Sequence, residues 1–228
     1  MTEIVTRLTQ VQQQIHNACI QANRAPSSVT LLAVSKTKSA QLIQQAIDAG
    51  QRNFGENYVQ EAVSKIQQLA HNSDLNWHFI GPIQANKTRL IADNFSWVHS
   101  VDREKIAKRL NEQRDPNITP LNVCLQVNIS DEQSKSGVSA QELFTLADFI
   151  NNCKQLRLRG VMAIPEKTDN IEQQLQQFSA LQNLYLQLQQ RYPEVDTLSM
   201  GMSNDMAQAI GCGSTMVRIG TAIFGKRD

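Results

Sequence analysis

The first apolar residues, Ile4, Leu8, Val11, Ile15 and Ala18, recur every three or four positions with polar residues between them, the spacing of one face of an amphipathic helix. After Pro26 the pattern changes to the unbroken run Val29-Thr30-Leu31-Leu32-Ala33-Val34, which suits a strand buried on both faces of a parallel sheet. Alternation follows: a helix over 40–49 that stops near Gly50, a short strand at Asn53-Phe54, and a helix over 57–69. Further strands are predicted at 77–80, 97–101, 121–129, 156–164, 197–200 and 216–219, nearly all separated by stretches of helical length. With 29–34 and 53–54 these make eight strands, which predicts an α/β fold: one (β/α)8 TIM-type barrel over residues 1–228 with an extra N-terminal helix. Little chain remains after the eighth strand, and the extra helix is expected to cover the gap this leaves. An open doubly wound sheet is the alternative, weakened because no Gly-x-Gly-x-x-Gly turn follows any predicted strand. The glutamine-rich stretch 172–190 keeps helical spacing at Leu175, Phe178, Leu181, Tyr185 and Leu188, so it reads as an outer barrel helix with a polar face.

Composition narrows the function more than the fold. Over 228 residues, 22 Lys and Arg meet 21 Asp and Glu, so there is no basic excess to suggest a nucleic-acid partner. No apolar run approaches the roughly 20 residues of a membrane span, and the first twenty residues carry Glu3, Arg7 and glutamines where an export signal needs an apolar block. A cytoplasmic protein is expected. Cys19, Cys124, Cys153 and Cys212 lack the paired spacing of zinc or redox sites and are expected to be small buried thiols. His16, His71, His78 and His99 show no metal-ligand spacing either, so no metal is expected and each should be a surface or a satisfied core histidine.

In a barrel of this type the chemistry sits at the C-terminal ends of the strands. Ser35-Lys36-Thr37-Lys38 follows the first strand, where a partly desolvated lysine is an amine nucleophile for an aldehyde; the alternative is a solvated lysine at a strand end. The segments 199–205 and 218–221 follow strands seven and eight, the usual phosphate position, with Ser203 and Thr221 as hydroxyl donors. Alternatively, Ser203 or Asn204 merely caps the next helix. Arg218 lies within the eighth strand: pointing to the mouth it can donate to a ring nitrogen and keep that nitrogen unprotonated, and pointing elsewhere it needs an interior salt bridge. Asn57 either meets a ligand hydroxyl or starts the following helix. Met200, Met202 and Met206 suit packing, with Met200 also placed to touch a ligand ring. No nucleophile elbow supports a Ser-His-Asp hydrolase.

Several segments in order carry a resemblance: Leu32-Ala33-Val34-Ser35-Lys36-Thr37, Phe54-Gly55-Glu56-Asn57-Tyr58, Trp77-His78-Phe79-Ile80-Gly81 with Gln84, Asn86 and Lys87, Ser134-Lys135-Ser136-Gly137, the run 198–203, and the run 217–225. The sequence resembles, end to end, the pyridoxal phosphate homeostasis proteins, which look like the barrel domain of alanine racemase standing alone. Pro82 and Ile83 are a small departure. The resemblance implies pyridoxal phosphate as cofactor, a Schiff base on Lys36, Arg218 facing the pyridine nitrogen, Ser203, Gly220 and Thr221 on the phosphate, Asn57 beside the ring hydroxyl and Met200 against the ring.

Two functions are compatible with that cofactor: a carrier that buffers or delivers it, and an amino-acid racemase. The racemase's second, β-rich domain with its tyrosine base has no counterpart here, and Tyr58, Tyr185 and Tyr192 lie on or beside helices. The carrier is favoured, with no catalytic residues, apoenzymes that use the cofactor as candidate recipients, a monomeric state, and Lys38 and Lys135 as candidates for exchange of the held aldehyde.

Overall fold

The structure, a computed structural model, describes residues 2–129, 136–166, 168 and 170–225. Eight parallel strands, β1 (Thr30–Val34), β2 (Asn53–Glu56), β3 (Asn76–Phe79), β4 (Trp97–Val101), β5 (Leu121–Gln126), β6 (Leu156–Met162), β7 (Thr197–Ser199) and β8 (Met216–Ile219), close into a barrel in chain order. The closing pair aligns Leu32 of β1 with Arg218 of β8. Between strands run α2 (Ala40–Asp48), α3 (Val59–Gln68), α4 (Thr88–Asn94), α5 (Glu104–Gln113), α6 (Ala140–Asn151), α7 (Ile171–Arg191) and α8 (Met206–Gly211), with α1 (Glu3–Gln21) ahead of the barrel and the short α9 (Thr221–Phe224) after it. This is the predicted (β/α)8 architecture.

The extra helix does what its apolar stripe requires. Ile4, Leu8, Val11, Ile15 and Ala18 are all buried, and α1 lies against α2, α8 and α9, covering the side of the barrel that the four-residue α9 leaves open. Arg24 ties the end of this helix down, its Nη1 donating to Ile210 O at 2.8 Å and Ser214 O at 2.7 Å.

Several boundaries differ from the sequence reading for local reasons. β5 stops at Gln126 because Val127 bridges Val138 in the loop that follows. β6 ends at Met162, since the Ala163 carbonyl accepts from Arg218 at 2.9 Å. In α7 the predicted core position Leu175 is 38% exposed, while Phe178, Leu181, Tyr185 and Leu188 are buried. Cys19 and Cys124 are buried thiols, whereas Cys153 and Cys212 are only half-buried, a correction that follows from their positions after α6 and α8 on the outer layer.

One glycine is required by the barrel. Gly160 has φ +154°, and a Cβ there would stand 1.7 Å from the Thr197 carbonyl oxygen of β7. Beside it the β5–β6 register shifts, Val123 facing Leu158 but Cys124 facing Gly160, as at a bulge. The displaced Arg159 reaches out to Asp196 and lies 4.7 Å from the Trp97 ring centroid. α6 begins with a capping box: Ser139 Oγ accepts from the Glu142 amide at 3.2 Å and the Glu142 carboxylate accepts from the Ser139 amide at 3.0 Å. Ser139→Ala is expected to cost about 1 kcal/mol of stability in urea unfolding; an unchanged midpoint would mean the cap contributes nothing.

Candidate functional site

A cavity of about 750 Å³ opens at the C-terminal ends of the strands. Lys36, Asn57, Ser203, Arg218, Gly220 and Thr221 all line it. The strand order explains the convergence: Lys36 follows β1, Asn57 follows β2, Ser203 lies between β7 and α8, and the rest belong to β8 or the turn after it. Apolar walls that sequence reasoning missed come from Val34, Ile80, Met162 and Ile164, each at or just beyond a strand end.

Met200 is not brought there. It is fully buried in the apolar core, because β7 ends at Ser199 and the chain turns outward only at Gly201, where φ is +94°. Of Met200, Met202 and Met206, it is Met202, 40% exposed, that joins Met162 in lining the cavity.

Lys36 stands on a loop held from below. Ser35 Oγ donates to Glu56 Oε1 at 2.6 Å, and the Thr37 amide donates to Glu61 Oε1 at 2.6 Å. Thr37 is left-handed at φ +64°, a conformation a β-branched residue adopts only when its surroundings hold it there. Lys65 completes the clamp: its ammonium donates to Ser35 O at 2.8 Å, Glu56 Oε1 at 2.8 Å and Glu61 Oε1 at 2.5 Å, using all three of its hydrogens. Burial pushes the Glu56 carboxyl up, while Lys65 and the Ser35 hydroxyl pull it back. This cluster escaped the sequence reading because its members belong to different elements. Lys38, also half-buried, is not among the residues lining the cavity, and Lys135 lies outside the described residues.

Asn57 precedes the helix and does not start it; Tyr58 takes the N-cap position of α3. Its backbone is pressed against Gly81, where a Cβ would stand 2.3 Å from the Asn57 carbonyl oxygen. Its side-chain Oδ1 is buried with no hydrogen-bond partner. A buried acceptor left unpaired costs about 1–3 kcal/mol, so a donor brought by a ligand would be favoured there.

The loop after β7 corrects another expectation. The N-cap of α8 is Asp205, not Ser203 or Asn204, and the Asp205 carboxylate accepts from the Met202 amide at 2.5 Å. Ser203 and Asn204 are thereby left exposed on the cavity side of a closed turn. Opposite, the first hydrogen bonds of α9 run from Ile223 and Phe224 back to Gly220 O and from Gly225 to Thr221 O. The Thr221 and Ala222 amides therefore have no partner within the helix, as at any helix start.

Arg218 is 6% exposed and lines the same cavity. Its Nη1 donates to Ser199 O at 2.7 Å and Ser199 Oγ at 2.8 Å, and Nη2 donates to Ala163 O, so its partners are uncharged oxygens and not the interior salt bridge weighed above. Burial pulls its pKa down to about 10, with Asp205 opposing, and it stays cationic at neutral pH. Three of its five N–H donors are used.

A pyridoxal phosphate molecule fits these residues on chemical grounds: an amine for its aldehyde, an unpaired acceptor for a ring substituent, spare cationic donors for its ring nitrogen, and hydroxyls with amides for its phosphate. Among the described residues, no group of three or more His, Cys, Asp or Glu could hold a metal ion, and no helix is long and apolar enough to cross a membrane.

Comparison with known proteins bears on the fold and the family. Residues 10–228 match the family model of the alanine racemase N-terminal domain. A pyridoxal phosphate homeostasis protein of Pasteurella multocida is 58% identical over 99% of this chain and 98% of its own. PipY of Synechococcus elongatus, solved with PLP bound, superposes with a TM-score of 0.85 at 35% identity over 98% of this chain and 100% of that one. The alanine racemase of Corynebacterium glutamicum shares the fold alone, at 16% identity and TM-score 0.66, with 93% of this chain matched to 60% of that one. Identity at this level over nearly the whole length shows that this chain belongs to the pyridoxal phosphate homeostasis protein family, built on the barrel of the alanine racemase N-terminal domain.

Proposed function

We propose that the protein binds pyridoxal phosphate as a Schiff base on Lys36 and serves its homeostasis, by buffering or delivery, without catalytic turnover. The observation that carries this is the convergence of Lys36, the unpaired Asn57 acceptor and the buried Arg218 cation on one cavity. Bound there, the cofactor supplies an aldehyde that condenses with the Lys36 amine, the carbonyl oxygen leaving as water. Lys36 is the fitting amine because the nearby Lys65 has every hydrogen engaged by oxygen and no free lone pair. Ser203, Gly220 and Thr221 hold the phosphate with hydroxyl and amide donors. Arg218, a cation that does not give up its proton, keeps the ring nitrogen unprotonated. That makes the ring a weak electron sink, which suits holding the cofactor more than running carbanion chemistry on it.

The racemase alternative has no tyrosine base in the cavity. Tyr58 is 52% exposed at the start of α3, and Tyr185 and Tyr192 are engaged with Gln189 and Asp148 in the outer layer. None of the three lines the cavity. The names of the relatives matched over nearly their full length favour a carrier. In this reading residues 1–228 act as one cofactor-binding domain and as a monomer in the cytoplasm, where the four free cysteines stay reduced. Apoenzymes that use the cofactor are the recipients.

Titration with pyridoxal phosphate should produce a visible band, and a panel of L-amino acids should show no racemisation. Turnover with any of them would restore the enzyme reading; a protein that stays colourless would refute cofactor binding. Arg218→Ala should weaken binding about tenfold, the worth of one charge-assisted hydrogen bond, and displace the band. Identical affinity and spectrum would remove Arg218 from the ring nitrogen.

A further inference from the structure

Behind Arg218 the barrel interior holds a line of polar groups that ends on Ser199. Asn53 Oδ1 stands 3.3 Å from His78 Nε2, His78 Nδ1 stands 3.0 Å from His99 Nε2, and His99 Nδ1 stands 3.1 Å from Ser199 Oγ. Ser199 Oγ in turn accepts from Arg218 Nη1 at 2.8 Å. β4 and β7 are not neighbours in the sheet, so the His99–Ser199 contact crosses the inside of the barrel. His78, His99 and Ser199 are each 0% exposed.

The direction of every bond follows from one end. A guanidinium has only donors, so the Ser199 oxygen accepts from Arg218. The Ser199 hydroxyl hydrogen then has one remaining acceptor among its contacts, His99 Nδ1; reversing that bond would bury an unsatisfied hydroxyl. His99, neutral, therefore carries its hydrogen on Nε2 and donates to His78 Nδ1. His78 likewise carries its own on Nε2 and donates to Asn53 Oδ1. The far end of the guanidinium is fixed by Ala163 O, so with three donors spent two of the five remain for the cavity.

We propose that Ser199, His99 and His78 are positioning residues, a one-way hydrogen-bond chain that clamps the Arg218 guanidinium to the back wall of the barrel and presents its free N–H groups to the ligand. The consequence for ligand binding rests on the reading above that Arg218 meets the ring nitrogen of pyridoxal phosphate.

The chain is testable without ligand. In protein with ¹⁵N-labelled histidine and arginine at neutral pH, His78 and His99 should both be neutral Nε2–H tautomers, and the Arg218 Nη hydrogens should give separate, slowly rotating signals, assigned by their loss in Arg218→Lys. In Ser199→Ala the Arg218 signals should merge and the His99 Nδ1 resonance should move to that of a nitrogen accepting no hydrogen bond, whereas Ser199→Thr should keep both. Pyridoxal phosphate should bind Ser199→Ala about tenfold more weakly, with a displaced band. An Nδ1–H or doubly protonated ring in the wild type would overturn the proposal, as would Arg218 signals or pyridoxal phosphate affinity unchanged in Ser199→Ala. If Ser199→Ala does not fold, the wild-type tautomers decide. Wild-type protein with the expected tautomers and a clamped Arg218 that binds no pyridoxal phosphate would support the clamp and refute the cofactor reading instead.

Discussion

Lys36→Ala is expected to abolish the visible band that pyridoxal phosphate acquires on covalent attachment, while some cofactor remains bound. The whole band should go, because among the described residues neither Lys65 nor Lys38 is placed to replace this amine. Lys65 spends its three hydrogens on Ser35, Glu56 and Glu61 beneath the loop and is only 5% exposed. Lys38 does not line the cavity, although its amide closes the same turn on the Ser35 carbonyl at 3.0 Å. Retention follows from independence: the donors at Ser203, Thr221 and Arg218 stand on β8 and the loops after β7 and β8, and losing a side chain after β1 leaves them in place. Equilibrium dialysis with absorbance separates the two effects. A band unchanged in Lys36→Ala would move the attachment to another lysine, Lys38 or Lys135 being the first to replace.

The second large effect is acid sensitivity that begins well above the carboxylate range. Burial pushes His78 down to about 3, and burial, His78 and the Arg218 cation hold His99 well below the ordinary imidazole value. In the unfolded chain both return to about 6.5. Between these limits the unfolded state binds two more protons than the folded one, so stability is fully present above pH 6.5 and is lost as the pH falls. At pH 5 the two imidazoles together remove about 4 kcal/mol, a large part of the 5–15 kcal/mol that holds a typical domain. Glu56 works the other way, since a carboxyl raised by burial gains a proton more readily in the folded state and returns part of the loss. Urea unfolding at pH 7.5 and pH 5 should therefore differ by about 2–4 kcal/mol. Equal stability at the two values would mean that His78 and His99 titrate as exposed histidines do.

Much of the architecture was legible because it is written in local pattern. Most strands carry a short apolar run and most helices an apolar stripe, and their count favours a closed barrel, whose strand ends converge, over an open sheet. That is why Lys36, Asn57, Ser203, Arg218, Gly220 and Thr221, scattered over 186 positions from Lys36 to Thr221, could be assigned to one place, and the structure puts them around one cavity. Met200 failed because alternation along a strand three residues long cannot say which way the next side chain turns. The Lys65–Glu56–Ser35 cluster and the His78–His99–Ser199 line had no local signal of this kind. Their partners lie 9, 21, 30 and 100 residues apart and meet only when the barrel closes. The one hint was a polar residue inside otherwise apolar strands, which a buried strand tolerates only when a partner waits across the barrel.

Borohydride reduction of the protein loaded with pyridoxal phosphate, followed by peptide mass mapping, tests attachment at Lys36 most directly. The added phosphopyridoxyl mass should appear on the peptide containing Lys36 and be absent from Lys36→Ala. The same mass on a different lysine, or on none, would contradict it.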